Sequence, residues 1–188
     1  MSQRLLLHIC CGICAIGPAQ ALSDRYEVVG FWANPNIQPA EEYEARRASA
    51  RESCRRLGIH LLEDTGCTPS FWRERVEQAD KEGKRCEECY RVRLEQTCRA
   101  AARDGVRFVS STLLVSPHQN MTVLREVGLA SASAYGVCFI GESFRSLFAE
   151  CHRRAREWGL YRQKYCGCLA GKREAEEKRR KDEQGRVR

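Results

Sequence analysis

Five short apolar runs punctuate the chain: Leu5–Ile9, Val28–Trp32, Ile59–Leu62, Val106–Val109 and Val137–Ile140. Each is nearly continuous rather than alternating, which is the pattern of a strand covered on both faces. Longer segments with helical spacing separate them. Glu41–Leu57 sets Tyr43, Ala50, Cys54 and Leu57 on one stripe and stops at Gly58, a natural helix end. Arg85–Ala102 does the same with Tyr90, Leu94, Cys98 and Ala101. Residues 69–85 carry a further helix with no strand after it, so the crossover from the third to the fourth strand contains a helical insertion. Alternating strand and helix predicts a parallel α/β sheet. Residues 1–168 are expected to form a single α/β domain. Residues 169–188, with eight basic and five acidic side chains, read as a charged C-terminal helix or tail.

Length and composition narrow the class. A chain of 188 residues buries a real core without disulfides. No stretch approaches the roughly 18 apolar residues of a membrane span, and the N-terminus lacks a signal-peptide layout. The expectation is a cytoplasmic protein, neither membrane-bound nor secreted. Twelve cysteines is far above ordinary use. In a reducing compartment, clustered thiols bind metal or do redox chemistry more often than they form structural disulfides. Lys plus Arg 32 against Asp plus Glu 25 leaves a charge of +7, which suits a polyanionic partner. Two basic runs are candidates for it: Arg46, Arg47, Arg51, Arg55 and Arg56, and Lys172 and Arg173 followed by Lys178–Lys181.

Seven of the twelve cysteines fall in three groups. Cys10-Cys11-Gly12-Ile13-Cys14 follows the first strand, Cys86-Glu87-Glu88-Cys89 opens a helix, and Cys166-Gly167-Cys168 lies near the C-terminus. Open α/β sheets bind ligands at the carboxyl ends of their strands, so the first group faces that crevice. The helix expected from Ala15 to Asp24 would present amides that favour thiolates at its start. Cys86 and Cys89 share one helix face, and Gly167 frees the backbone between two closely spaced thiols. A zinc site closes with four ligands, commonly two C-x₂₋₄-C pairs, and adjacent Cys10 and Cys11 chelate one small ion awkwardly. A [4Fe–4S] cluster offers four irons, each needing one thiolate; Cys10, Cys11, Cys86 and Cys89 would complete that shell. Cys14, Cys166 and Cys168 remain for a second iron or other metal ion, or for electron relay. A strained, easily reduced Cys166–Cys168 disulfide is the alternative. Cys54, Cys98 and Cys138 read as core packing, Cys67 and Cys151 default to the same, and His8 reads as a hydrogen-bonded core histidine.

No G-x-x-x-x-G-K-[ST], G-x-G-x-x-G or Ser-Gly-Gly-x-Asp-Ser loop is present. The cysteine turn stands where a nucleotide loop would be, which argues against a nucleotide-driven enzyme.

Five ordered blocks carry a resemblance. They are His8-Ile9-Cys10-Cys11-Gly12-Ile13-Cys14; Asn34-Pro35-Asn36-Ile37 with Pro39, Glu42, Tyr43 and Arg46; Arg85-Cys86 through Cys89-Tyr90 with Arg93-Leu94; Ser111-Thr112-Leu113-Leu114 with Ser116-Pro117-His118-Gln119; and Tyr161-Arg162-Gln163 with Tyr165-Cys166-Gly167-Cys168. In this the chain resembles the cobalamin-independent epoxyqueuosine reductase family, QueH. The resemblance implies an adenine-nucleotide α-hydrolase (HUP)-like fold, a five-stranded parallel sheet with helices on both faces. It implies two-electron reductive deoxygenation of epoxyqueuosine at the wobble position of tRNA, giving queuosine and water. A tRNA partner and an external electron donor follow from that reaction. The favoured assignment puts a [4Fe–4S] cluster on Cys10, Cys11, Cys86 and Cys89, with Cys166, Cys168 and Cys14 in the catalytic redox or second-metal role.

Within the blocks, Asn34, Asn36, Tyr43, Tyr90, Ser116, Gln119, Tyr161 and Arg162 are candidates to contact the modified base or donate a proton. Asn34-Pro35-Asn36 is also a strong turn signal in its own right. Three rivals stand beside this reading: an iron–sulfur tRNA sulfurtransferase, which would need ATP; a zinc-stabilised nucleic-acid-binding module; and a thiol–disulfide oxidoreductase using Cys166 and Cys168 alone.

Overall fold

A computed structural model describes residues 3–64, 66 and 68–186; Cys67 lies outside the described residues. Its strands are β1 (Gln3–His8), β2 (Tyr26–Trp32), β3 (Leu61–Glu63), β4 (Phe108–Ser111) and β5 (Cys138–Phe139). All neighbours pair in parallel, in the order β3-β2-β1-β4-β5. The central strand β1 sits between Val29 of β2 and Val109 of β4 at Leu6, and Leu5, Leu6 and Leu7 are at most 1% exposed. That is the two-sided burial its unbroken apolar run predicts.

Helix α1 (Gly12–Ser23) joins β1 to β2 and α2 (Ala40–Leu57) joins β2 to β3. The expected insertion is a pair of helices, α3 (Pro69–Lys81) and α4 (Arg85–Arg103), between β3 and β4. Then come α5 (Met121–Ala134), α6 (Phe148–Glu157) and α7 (Leu169–Arg186). α1 packs on α2 and α4 on α5, and the right-handed crossovers usual between parallel strands set the first pair on one face of the sheet and the second on the other. α6 returns to lie against α1. Among the described residues, no helix is long and apolar enough to cross a membrane.

Local chemistry explains most boundaries. Gly58 ends α2 in the left-handed conformation, φ 68°, as its position predicts. Thr68 caps α3 with Pro69 behind it, and Asn120 caps α5. The C-terminal segment is a helix whose first two turns are anchored. Arg85 donates to Glu174 at 2.6 Å, and Ala170 packs into a small apolar cluster with Trp72, Val76 and Val92.

Two expectations change. α1 starts at Gly12, earlier than Ala15, because Cys11 itself supplies the N-cap. Cys138 is exposed, not core: β5 is a two-residue edge strand, and only Phe139 turns inward. Cys54, Cys98 and Cys151 are buried as expected. Two further helices, α5 and α6, lie outside the apolar stripes that the sequence displays. α5 is built on small residues such as Ala130, Ser131 and Ala132, and α6 spans only ten residues.

α1 and α2 meet at Gly12. A Cβ there would lie 2.4 Å from the Ser49 carbonyl oxygen and 2.3 Å from its Oγ. Backbone cannot yield as a flexible side chain does. Gly12→Ala is therefore expected to cost about 2 kcal/mol by overpacking and to lower Tm by about 4–8 °C, read by thermal unfolding.

Candidate metal centre

The sheet order reverses between β1 and β4, and ligands of open α/β sheets bind beyond the strand ends at such a point. The two strands end together there, with His8 registered against Ser111. His8 is fully buried, and its Nδ1 lies 3.0 Å from the Ser111 Oγ. Burial, helped by the nearby Arg93 charge, drives its pKa down to about 3, so it is a neutral core histidine as expected.

Directly past these strand ends, Cys10, Cys11 and Cys14 converge. Their sulfurs all lie within 4.8 Å of one another, and all three residues are buried. The reason is local: Cys11 is the N-cap of α1 and accepts from the Cys14 amide at 3.4 Å. That puts Cys14 in the first helical turn, facing its own cap. Thr112, next along from β4, braces Cys10 twice. Its Oγ1 accepts from the Cys10 amide at 2.9 Å and its hydroxyl donates to Cys10 Sγ at 3.2 Å. Gln163 Nε2 donates to Cys11 Sγ at 2.9 Å. Hydrogen bonds from Cys11 and Cys14 pull the Cys10 thiol well down, while Cys11, by burial, and Cys14, by its sulfur neighbours, are pushed up.

Thr112→Val keeps the shape and deletes the hydroxyl. We expect it to weaken metal binding about 10–100-fold, read by competition with a chelator.

A second set of thiols stands apart from the first: among the described residues the mutually close sulfurs are those of Cys10, Cys11 and Cys14, and Cys86 and Cys89 do not join them. Cys86 and Cys89 occupy the first turns of α4, and Cys168 packs beside Cys89 in the Trp72 cluster. Cys166 and Cys168 are free thiols with sulfurs 3.8 Å apart. The Cys168 hydrogen bond draws Cys166 down to about 7 and pushes Cys168 up. Burial raises Cys86 and Cys89, with Arg85 and Arg93 respectively opposing it. The segment 163–168 links the two groups, from Gln163 on Cys11 to Cys168 beside Cys89.

Its anchor is Arg46, 2% exposed, on α2. Arg46 donates to Glu42 Oε1 at 2.6 Å and to the carbonyls of Tyr165 and Cys166 at 2.9 and 3.2 Å, and lies over the Tyr165 ring. Gly167 adopts φ 134°, and a Cβ on it would come 2.6 Å from Asn36 Nδ2. Only glycine fits between the paired thiols.

The other candidates divide. Asn34 is committed inside the protein, donating to the Ile9 carbonyl at 2.8 Å and accepting from Arg93 at 2.7 Å. The Tyr43 hydroxyl accepts from Trp32 Nε1 at 2.8 Å, an internal bond. Buried Tyr90 donates to Gln119 Oε1 at 2.8 Å and lines a cavity of about 330 Å³ with Lys84, Arg85, Cys86 and Asn120. Asn36 is buried with its Oδ1 unpartnered. Ser116 and Gln119 accept from Arg145 through their carbonyls. Tyr161 is exposed, with its hydroxyl on Glu42, and Arg162 is exposed. Thr112, Gln163 and Arg93 also shape the site. They stand in the five sequence blocks, but nothing in their spacing marks them as functional.

The two basic runs are unlike. On α2, Arg46 is buried, Arg47 pairs with Glu44, Arg51 with Glu63, and Arg55 and Arg56 share Glu52. Its positive charge is largely neutralised in place. On α7, Lys178, Arg179, Arg180 and Lys181 are exposed, with no ion pair among the described residues.

Buried, mutually contacting thiols with donors aimed at their sulfurs form a soft ligand set, which fits a thiolate-bound metal group. The family model for epoxyqueuosine reductase QueH matches residues 5–174. Curated relatives carry the same name. One from Thermotoga maritima is 33% identical, covering 93% of both chains. One from Dehalococcoides mccartyi is 32% identical over 90% of this chain and 92% of that one. One from Streptococcus pyogenes serotype M1 is 26% identical over 88% and 69%. Among solved structures, one described as a predicted subunit of tRNA methyltransferase from Methanocaldococcus jannaschii is similar at TM-score 0.48 and 10% identity, covering 83% of this chain and 89% of that one. With the cysteine-lined switch point and a match spanning nearly the whole sequence, the chain belongs to the epoxyqueuosine reductase QueH family.

Proposed function

We propose that the protein reduces epoxyqueuosine at the wobble position of tRNA to queuosine in the cytoplasm, using a [4Fe–4S] cluster held by Cys10, Cys11, Cys86 and Cys89. The observation that carries this reading is the family match over residues 5–174. The buried group of Cys10, Cys11 and Cys14 past the ends of β1 and β4 supports it. A thiolate-bound cluster supplies single electrons when present, at a potential set by its surroundings.

The reaction takes two electrons and two protons, releases the epoxide oxygen as water and leaves a carbon–carbon double bond. Cys166 and Cys168 are suited to provide them. Oxidation of this dithiol to a disulfide yields two electrons and two protons, which balances the reduction. An external donor then restores the thiols. Cys14, beside Cys10 and Cys11, suits a second iron or other metal ion. The cavity that Tyr90 lines with Cys86 suits the modified base, and the Tyr90 hydroxyl suits a proton donor to the leaving oxygen. An anticodon-loop base is already unpaired and can be turned outward at small cost.

The decisive experiment is anaerobic reconstitution, iron and sulfide counts, and incubation with epoxyqueuosine tRNA and a strong reductant. Loss of one oxygen from the nucleoside, seen by mass, is expected. A loaded protein that leaves the nucleoside unchanged, or one that holds zinc alone, overturns the reading.

The exposed cations of α7 suit the tRNA backbone better than those of α2. Replacing Lys178, Arg179 and Arg180 by Gln is expected to flatten the salt dependence of tRNA binding by about one slope unit for each phosphate no longer neutralised. Arg55→Gln with Arg56→Gln, which removes charge already shared with Glu52, is expected to change it less.

A further inference from the structure

We propose that Arg93 is the counter-charge of the metal group, a positioning residue that sets how readily that group accepts an electron. The inference rests on the cluster reading above.

Arg93 is 4% exposed. It stands four residues after Cys89 on α4, on the same helix face. Its Nη2 donates to Asn34 Oδ1 at 2.7 Å, and Asn34 in turn donates to the carbonyl of Ile9, the residue before Cys10. Arg93 is thus fixed between the two thiol groups, and its charge is felt at both Cys10 and Cys89.

Its own needs are not met by the protein. Its Nε has no hydrogen-bond partner, and among the described residues no carboxylate pairs with it. Arg46 differs: it is as deeply buried but has Glu42 at 2.6 Å and two carbonyls besides. A buried guanidinium with one neutral amide acceptor is an expensive arrangement unless an anion completes it. Cysteine-bound iron–sulfur groups are anionic, and two of the four thiols assigned as ligands, Cys10 and Cys89, lie within reach of the Arg93 charge. A fixed positive charge beside such a group favours the form with one more electron.

The test compares Arg93→Met and Arg93→Lys with the parent. The midpoint potential of the reconstituted, tRNA-free protein is read by redox titration. The melting temperature of the metal-free full chain is read beside it. For Arg93→Met we expect a more negative potential, with the equilibrium constant for electron uptake lowered on the order of tenfold. The metal-free protein should melt a few degrees lower than the parent, because the buried Asn34 Oδ1 loses its donor, and this melting temperature separates the cost to the fold from the shift in potential. Arg93→Lys should return the potential toward that of the parent. An unshifted potential in Arg93→Met overturns the proposal, whatever its melting temperature. If Arg93→Met fails to retain the cluster, Arg93→Lys decides: retention supports the role of charge, and loss there too overturns it. The potential is measured without substrate, so the result stands apart from whether epoxyqueuosine is the substrate.

Discussion

Cys10→Ala is expected to strip the protein of the iron of the proposed cluster and abolish deoxygenation. Cys10 is held through both its backbone and its sulfur. Its amide and its sulfur are both held by Thr112, and its sulfur lies 3.8 Å from that of Cys11. Its thiol is drawn down by the two neighbouring sulfurs, which favours the ligating thiolate form. Removing a hydrogen-bond partner of a ligand costs about 10–100-fold in affinity or activity, and removing the ligand itself should exceed that range. Iron and sulfide per chain, the EPR signal of the reduced protein and nucleoside mass all read the change. Cys98→Ala is the control. Its thiol is fully buried in the main apolar core. Its loss should cost about 1 kcal/mol of stability and leave iron content intact. Equal iron in Cys10→Ala and the parent would remove Cys10 from the ligand set.

The second large effect is expected from Arg46→Leu. This arginine joins α2 to the 163–168 segment through Glu42, two carbonyls and the Tyr165 ring. Breaking a buried pair by deleting one partner costs about 3–5 kcal/mol, because the other charge stays behind without compensation. The melting temperature should fall by about 10 °C, at about 2–4 °C per kcal/mol for a chain of this size. Two freed carbonyls also unfasten the Cys166–Cys168 turn. Cys168, only 6% exposed, should then alkylate faster, which peptide mass mapping can follow. Arg46→Lys should not rescue, since a lysine cannot supply the fork that serves a carboxylate and two carbonyls together.

The architecture was legible because its signals are local. Unbroken apolar runs such as Leu5–Leu7 fix a doubly covered strand, and the pairing of α3 with α4 follows from two helical patterns with no strand between them. The site was legible where position along the chain decides placement. A cysteine turn after the first strand of a parallel sheet must lie at its carboxyl edge, and Cys10 and Cys11 do. What the sequence hid depends on bonds across long separations. The bond from Gln163 to Cys11 spans 152 positions and the bond from Arg93 to Asn34 spans 59, and no spacing rule reaches that far. Cys14 joins its neighbours because Cys11 caps α1, and reading Ala15 as the helix start concealed that turn. The α2 arginines look like a polyanion site in one dimension; Glu63, on β3, neutralises Arg51 only in the fold.

The start of α1 has one more consequence. In many folds of this topology, the amides that open the helix after the first strand cradle a polyphosphate. Here the Cys14 amide is taken by the Cys11 sulfur, and Gly12 is pressed against Ser49. With that amide committed to a sulfur of the chain itself, turnover should follow the supply of reducing equivalents and stay indifferent to the energy charge of the cell.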